Sequence, residues 1–175
     1  SEYTKIPEFI PIGADGEKSA WFPGLWDSVS VVYMGDYSIV RTKVEPDIDR
    51  SVAVIHTTVR NNSEQPVDVT VKQQLNEWKS QQAVSELVSK SVLIPAGETA
   101  IVTQDVELPQ QVLWTPKTPF LYVAHTTVEQ AGVASDDRAT RFGMRKFEWK
   151  AGVGKGFYLN NKLYYLRGTN IAMHR

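Results

Sequence analysis

Apolar and polar positions alternate through the middle of this chain. From Val67 to Glu77 the apolar residues Val67, Val69, Val71 and Leu75 occupy odd positions, and Asp68, Thr70, Lys72, Gln74 and Asn76 fill the places between them. A strand turns successive side chains to opposite faces, so this spacing predicts a half-buried strand with one dry face and one wet one. The run before it repeats the pattern at Ala53, Ile55, Thr57 and Val59. Between the two lies Asn61-Asn62-Ser63-Glu64-Gln65-Pro66, rich in turn formers, which predicts that the pair closes as a hairpin. Val84, Val88, Val92 and Ile94 give a third run, ended by Pro95-Ala96-Gly97, where proline sets φ and glycine accepts positive φ. A fourth carries Ala100, Val102, Val106 and Leu108, and the stretches Phe120 to Val128 and Arg138 to Trp149 complete the set. The sum is about seven strands with turn signals about every 8–12 residues, and no window shows a sustained helical period.

Strands of this kind bury their apolar faces against one another, which makes a two-sheet sandwich the economical architecture. The expected fold class is all-β: an immunoglobulin-like β-sandwich over 34–149, flanked by segments of neighbouring domains. Tyr122, near the start of a late strand, is a candidate tyrosine corner whose hydroxyl bonds back to the backbone, with an ordinary half-buried core tyrosine as the alternative.

Composition narrows the partners. Lys and Arg number 19 against 20 Asp and Glu, for a net charge of −1, and the signs are mixed along the chain. That is no footprint for nucleic acid, and none is expected as a partner. The absence of cysteine removes disulfides, zinc-thiolate sites and a thiol nucleophile, and leaves the compartment unassigned. No apolar run approaches the roughly 20 residues that span a bilayer, so no membrane partner is expected.

Both ends depart from the strand pattern. Residues 1–26 hold Pro7, Pro11, Pro23, Trp21, Phe22 and Trp26, too irregular for a sandwich strand and too aromatic for a solvated tail. Toward the other end Phe157-Tyr158-Leu159 and Leu163-Tyr164-Tyr165-Leu166 flank Asn160-Asn161, a two-residue hairpin signal because asparagine tolerates positive φ. Three motifs then stand in a fixed order: Leu113-Trp114-Thr115-Pro116-Lys117-Thr118-Pro119-Phe120-Leu121-Tyr122, then Arg141-Phe142-Gly143-Met144-Arg145, then Leu166-Arg167-Gly168-Thr169-Asn170. In that order and spacing the chain resembles the family 2 glycoside hydrolases, the β-galactosidase and β-glucuronidase group, where an immunoglobulin-like domain runs into the catalytic barrel.

The resemblance implies a domain plan. Residues 1–33, with Gly24-Leu25-Trp26, would be the last strand of a preceding jelly-roll sugar-binding domain and its linker. Residues 150–175 would be a linker, a hairpin and the first strand of a barrel. It implies a parent enzyme that cleaves O-glycosidic bonds with retention, using two carboxylates about 5–5.5 Å apart. Both are glutamates on later barrel strands in the family, so this chain is expected to carry no catalytic residue and to be inactive alone. No cofactor and no metal is expected from the residues of this chain. Asn170 and His174 match family positions at the mouth of the first barrel strand and would contact carbohydrate only in the parent. Family members often read Asn-Arg-His-Glu-His there, and Ile171-Ala172-Met173-His174 departs from that pattern. The implied partners are the jelly roll and barrel of the same polypeptide, with homo-oligomers possible through apolar residues 157–166. The competing readings are a free-standing surface or adhesion module, and a carbohydrate-binding module using Trp21, Trp26 or Trp78 as a stacking platform.

Other candidate chemistry reads more simply. His56 and His125 lack a second ligand at metal spacing and read as surface residues. The loop 151–156, Ala-Gly-Val-Gly-Lys-Gly, lacks the first glycine and the final Ser or Thr of a phosphate loop and reads as a flexible linker. Asp136-Asp137 reads as a solvated turn, and Asn61-Asn62-Ser63 is a formal glycosylation sequon. No Gly-x-Ser-x-Gly elbow is present.

Overall fold

The structure, a computed structural model, describes residues 28–31 and 34–168. The chain divides between Tyr33 and Met34, and every strand among the described residues lies in the later unit. Seven strands make the sandwich: β1 (Tyr37–Asp47), β2 (Val52–Asn61), β3 (Val67–Glu77), β4 (Val88–Ile94), β5 (Thr99–Glu107), β6 (Tyr122–Gln130) and β7 (Val133–Phe142). One sheet runs β1-β2-β5 and the other β4-β3-β6-β7, all antiparallel. Three short strands, β8 (Phe147–Lys150), β9 (Gly156–Leu159) and β10 (Lys162–Leu163), form a separate sheet.

The alternation predicted from the sequence is what builds the core. Val67, Val69, Val71 and Leu75 of β3 are buried, and Ala53, Ile55, Thr57 and Val59 of β2 face them from the opposite sheet. The buried apolar residues separate into two clusters. One holds Ile55, Leu75, Val106, Ala124 and Met144; the other holds Val59, Val71, Val102 and Val128. Each buried Val, Leu or Ile contributes about 1.5–3 kcal/mol against exposure to water.

Between the clusters lies a polar layer, one residue from each of four strands: Thr57, Gln73, Gln104 and Thr126. The amide of Gln73 donates to the Thr57 hydroxyl at 2.8 Å, and the Thr126 hydroxyl donates to Gln73 Oε1 at 2.8 Å. Gln104 Nε2 donates to the carbonyl of Val71 at 3.2 Å. Two of these bonds cross from sheet to sheet. Burying polar groups costs stability unless they are paired, so these bonds fix which residues meet across the core, although Gln104 Oε1 is buried there without a partner.

Several expectations are corrected. The β2 and β3 runs do not pair as a hairpin: β2 lies between β1 and β5, and β3 between β4 and β6. The segment after Asn61 carries the chain across to the other sheet. Asn61 is fully buried there, its amide donating to the carbonyls of Gln65, Ile94 and Pro95 while its Oδ1 accepts from Ser63. A side chain so engaged is unavailable as a glycosylation acceptor in the folded domain. Val84 precedes β4 rather than belonging to it. Asp136 and Asp137 lie within β7 rather than in a turn, and Asp136 Oδ2 accepts the Ile39 amide at 2.7 Å. The stretch from Arg138 to Trp149 is two elements, because β8 pairs with β9 and with no sandwich strand. Residues 151–155 are therefore the tight loop of the β8–β9 hairpin, not a flexible linker between sandwich and hairpin. Gly152 and Gly154 there take φ of 81° and 75°.

Candidate functional site

Two of the sequence motifs, Leu113–Tyr122 and Arg141–Arg145, converge at one end of the sandwich, and Leu166 and Arg167 of the third line a groove with Leu113 and Pro116. Leu113 and Met144 make a parallel bridge, and the Trp114 amide donates to the Met144 carbonyl at 2.8 Å. Phe142 is buried beside Tyr122 with ring centroids 5.8 Å apart. Gly143 passes directly under Trp114, where an added Cβ would lie 3.0 Å from the tryptophan Cβ and 3.1 Å from its Cγ. Those atoms sit at the root of the side chain and cannot swing aside. The guanidinium of Arg145 then covers the Trp114 ring at 4.6 Å, a cation–π contact. The spacing Arg-Phe-Gly-x-Arg is thus explained by Trp114: a glycine to pass beneath the ring and an arginine to cap it.

Tyr122 forms the expected corner. It is 2% exposed, and its hydroxyl accepts the backbone N–H of Val112 at 2.8 Å, fixing the chain ten residues upstream. Burial raises its pKa above the usual tyrosine value, partly opposed by the Val112 bond.

The hairpin signal at Asn160-Asn161 is also realised, with φ of 51° and 64° and Leu159 facing Lys162. Asn160 does more than turn the chain. Its amide N–H donates to the Lys146 carbonyl at 2.8 Å, its Oδ1 accepts the Lys146 amide at 3.1 Å, and its Nδ2 donates to the Trp114 carbonyl at 3.0 Å. Asp49, in the β1–β2 loop, accepts from Lys146 Nζ at 2.9 Å and from Asn161 Nδ2 at 2.8 Å. Lys146 foremost, then Asn161, hold the Asp49 carboxyl below its ordinary pKa, and Asp49 in turn raises that of Lys146. The joint borders a groove of about 1060 Å³ lined in part by Pro116, Lys117, Leu163, Tyr164 and Arg167.

The sequence-predicted site residues fare unevenly. Asn170 and His174 lie outside the described residues, as do Trp21 and Trp26. Of Leu166–Asn170, expected as the first barrel strand, the described residues 166–168 carry no strand ladder. Trp78, a candidate stacking platform, is 38% exposed and holds the Arg141 guanidinium 4.7 Å over its ring. His56 is half-buried rather than a free surface residue, its Nδ1 3.0 Å from the Thr103 hydroxyl and its Nε2 3.4 Å from Glu45. Among the described residues no three His, Asp or Glu side chains gather as metal ligands. Carboxylates do line one groove, Glu86, Asp105 and Glu107, but all three are exposed and Asp105 is bound by Arg50 at 2.9 Å. Sequence reasoning missed Asp49 and the bridging role of Asn160. A turn signal announces φ and not where the side chain reaches.

Taken together, the fold defines an all-β, immunoglobulin-like sandwich that ends in a side-chain-bonded joint to a small sheet. The model of the glycosyl hydrolases family 2 matches residues 37–145, from the first residue of β1 to the arginine that caps Trp114. The match covers more than half of the chain, and the protein belongs to that family. A β-galactosidase of Bacteroides ovatus is 27% identical over 168 residues, covering 92% of this chain and 19% of the relative. A β-glucuronidase of Formosa agariphila is 24% identical over 144 residues, covering 82% of this chain and 14% of its own length. Among solved structures, a β-glucuronidase of Bacteroides uniformis superposes with a TM-score of 0.63 at 21% identity, over 77% of this chain and 17% of that one. A family 2 member of Bacteroides cellulosilyticus gives 0.66 at 21% identity, over 74% and 17%. These two likenesses establish the fold. The chain spans about a fifth or less of the curated relatives it matches.

Proposed function

We propose that this domain is a non-catalytic scaffold of a retaining β-glycosidase, holding a sugar-binding jelly roll and a catalytic barrel of the same polypeptide in fixed relation. One observation carries the reading: the Leu113–Tyr122 and Arg141–Arg145 motifs meet, with Asn160, in a joint whose bonds among the described residues are structural. Trp114, Gly143, Arg145 and Asn160 contact one another or nearby backbone. The exposed carboxylates elsewhere lack the burial that glycosidases use to keep a general acid protonated. Phe147, Trp149, Leu163 and Tyr165 are 52%, 58%, 62% and 85% exposed at the same end, apolar surface suited to being covered by a neighbouring domain.

In this reading Asn170 and His174 contact carbohydrate only once the barrel is present, and β-galactosides or β-glucuronides are the substrates the relatives' names suggest. The test is a paired assay with nitrophenyl β-galactoside and β-glucuronide. The isolated chain is expected to release no nitrophenol. The product of the source gene read about 250 codons beyond Arg175, the length of a barrel, is expected to hydrolyse at least one. Hydrolysis by the isolated chain, or a reading frame without a barrel, overturns the proposal.

A further inference from the structure

The three-stranded sheet sits on the sandwich without strand-on-strand packing: no sandwich strand makes an extended contact with β8, β9 or β10. What joins the two is a hydrophobic contact and a set of hydrogen bonds. Leu159, 8% exposed, faces a small recess with Trp114, Pro116 and Phe147. Apolar contact is non-directional, so it holds the sheet on without deciding its angle. Hydrogen bonds weaken steeply when bent, so they do decide it.

We infer that Asn160 is the positioning residue of this joint, fixing the direction in which the chain leaves the sandwich. Its three bonds run to two separate segments. Two bind Lys146, at the entry to β8, and the third binds Trp114, in the segment before β6. Two points on one segment and one on another fix the turn in three dimensions. The third bond demands an amide: Nδ2 donates to a carbonyl, and an aspartate at this position would turn an oxygen toward the Trp114 oxygen. The backbone demand is separate, because φ of 51° is available to glycine without strain. Asp49 adds an outer tie to Lys146 and Asn161, but both of its partners are solvent-facing and the tie is weak beside the inner one.

The inference deepens the scaffold reading and takes its significance from it, yet its test reads the joint alone. The chain has no cysteine, so spin labels can be placed cleanly at Thr99→Cys on β5 and Lys155→Cys in the β8–β9 loop of the full chain. The parent pair is expected to give a single narrow distance distribution. Asn160→Gly keeps the turn and loses the side-chain bonds; Asn160→Asp keeps the acceptor and loses the donor. Both are expected to lose the narrow distribution, with amide exchange at Lys146 about five to ten times faster in Asn160→Gly, which alone loses the Lys146 acceptor, while exchange across β2, β3 and β6 is unchanged in both. A distribution that stays narrow and unshifted in both variants overturns the assignment, whatever happens to the melting temperature. It leaves the scaffold reading to the glycoside assay.

Discussion

The sandwich and the small sheet beside it are both antiparallel β-structure, yet different forces hold them. The sandwich has two buried apolar clusters with a polar layer between them, and its strands enclose one another. The small sheet has two and four residue strands, exposes Phe147, Trp149 and Leu163, and is held by Asn160, Asp49 and the contact at Leu159. The first is stable because it excludes water. The second is placed because particular donors meet particular acceptors. The proposed scaffold role needs both: a body that does not deform, and an exit whose direction is set.

The comparison breaks most readily at the core. Ile55→Ala removes a fully buried side chain from the middle strand of its sheet and is expected to cost about 2–5 kcal/mol, read as a lowered urea midpoint with unchanged slope. Loss confined to the small sheet would show that the two regions are not separately held.

The polar layer comes next. Gln73→Leu strands the hydroxyls of Thr57 and Thr126 and is expected to cost about 1–3 kcal/mol, whereas adding Thr57→Val and Thr126→Val to it recovers most of that loss. Failure of the triple variant to recover would mean that the layer contributes net stability beyond satisfying itself.

Tyr122→Phe is smaller, about 1 kcal/mol for the lost bond to Val112. Its signature is in pH. Burial raises the Tyr122 pKa in the folded domain, so the unfolded chain ionises first; stability is full below about pH 10 and falls as pH rises toward the raised value. Stability profiles of parent and variant should therefore converge in alkali, and parallel profiles would refute a buried Tyr122.

Asp49→Asn is expected to have the least effect and to sharpen the contrast. The Asp49 carboxyl is held below its ordinary value, so its tie to Lys146 persists above about pH 4 and is lost as pH falls through the depressed value. Amide exchange in β9 and β10 should rise in acid in the parent and show no such acid limb in the variant, with the sandwich unaffected. An acid response shared by both proteins would remove Asp49 from the joint.

How much of this was legible beforehand follows from range. Val67 to Leu75 announced their strand because the period of two is a local property, and Asn160-Asn161 announced a turn because positive φ is local too. The hairpin expected of β2 and β3 failed because a run such as Asn61 to Pro66 reverses the chain equally well within a sheet or across to the other one. Only the burial of Asn61 against Ile94 and Pro95, more than thirty residues on, selects the crossing. Gln73 stands on the dry face of β3, and nothing in its neighbourhood in the sequence says that Thr57 and Thr126 will meet it there.

The sequence by itself determined the class of fold, the positions of most strands, and, through the Trp114, Gly143 and Asn170 motifs, the resemblance that the family match bears out. Tertiary structure alone decided which strands share a sheet, which polar side chains pair in the core, and that Asp49 and Asn160 form a joint. The reason is physical. Burial periodicity is written into successive residues, whereas a hydrogen bond between residues 49 and 161 exists only when a whole sandwich has brought their atoms within 2.8 Å.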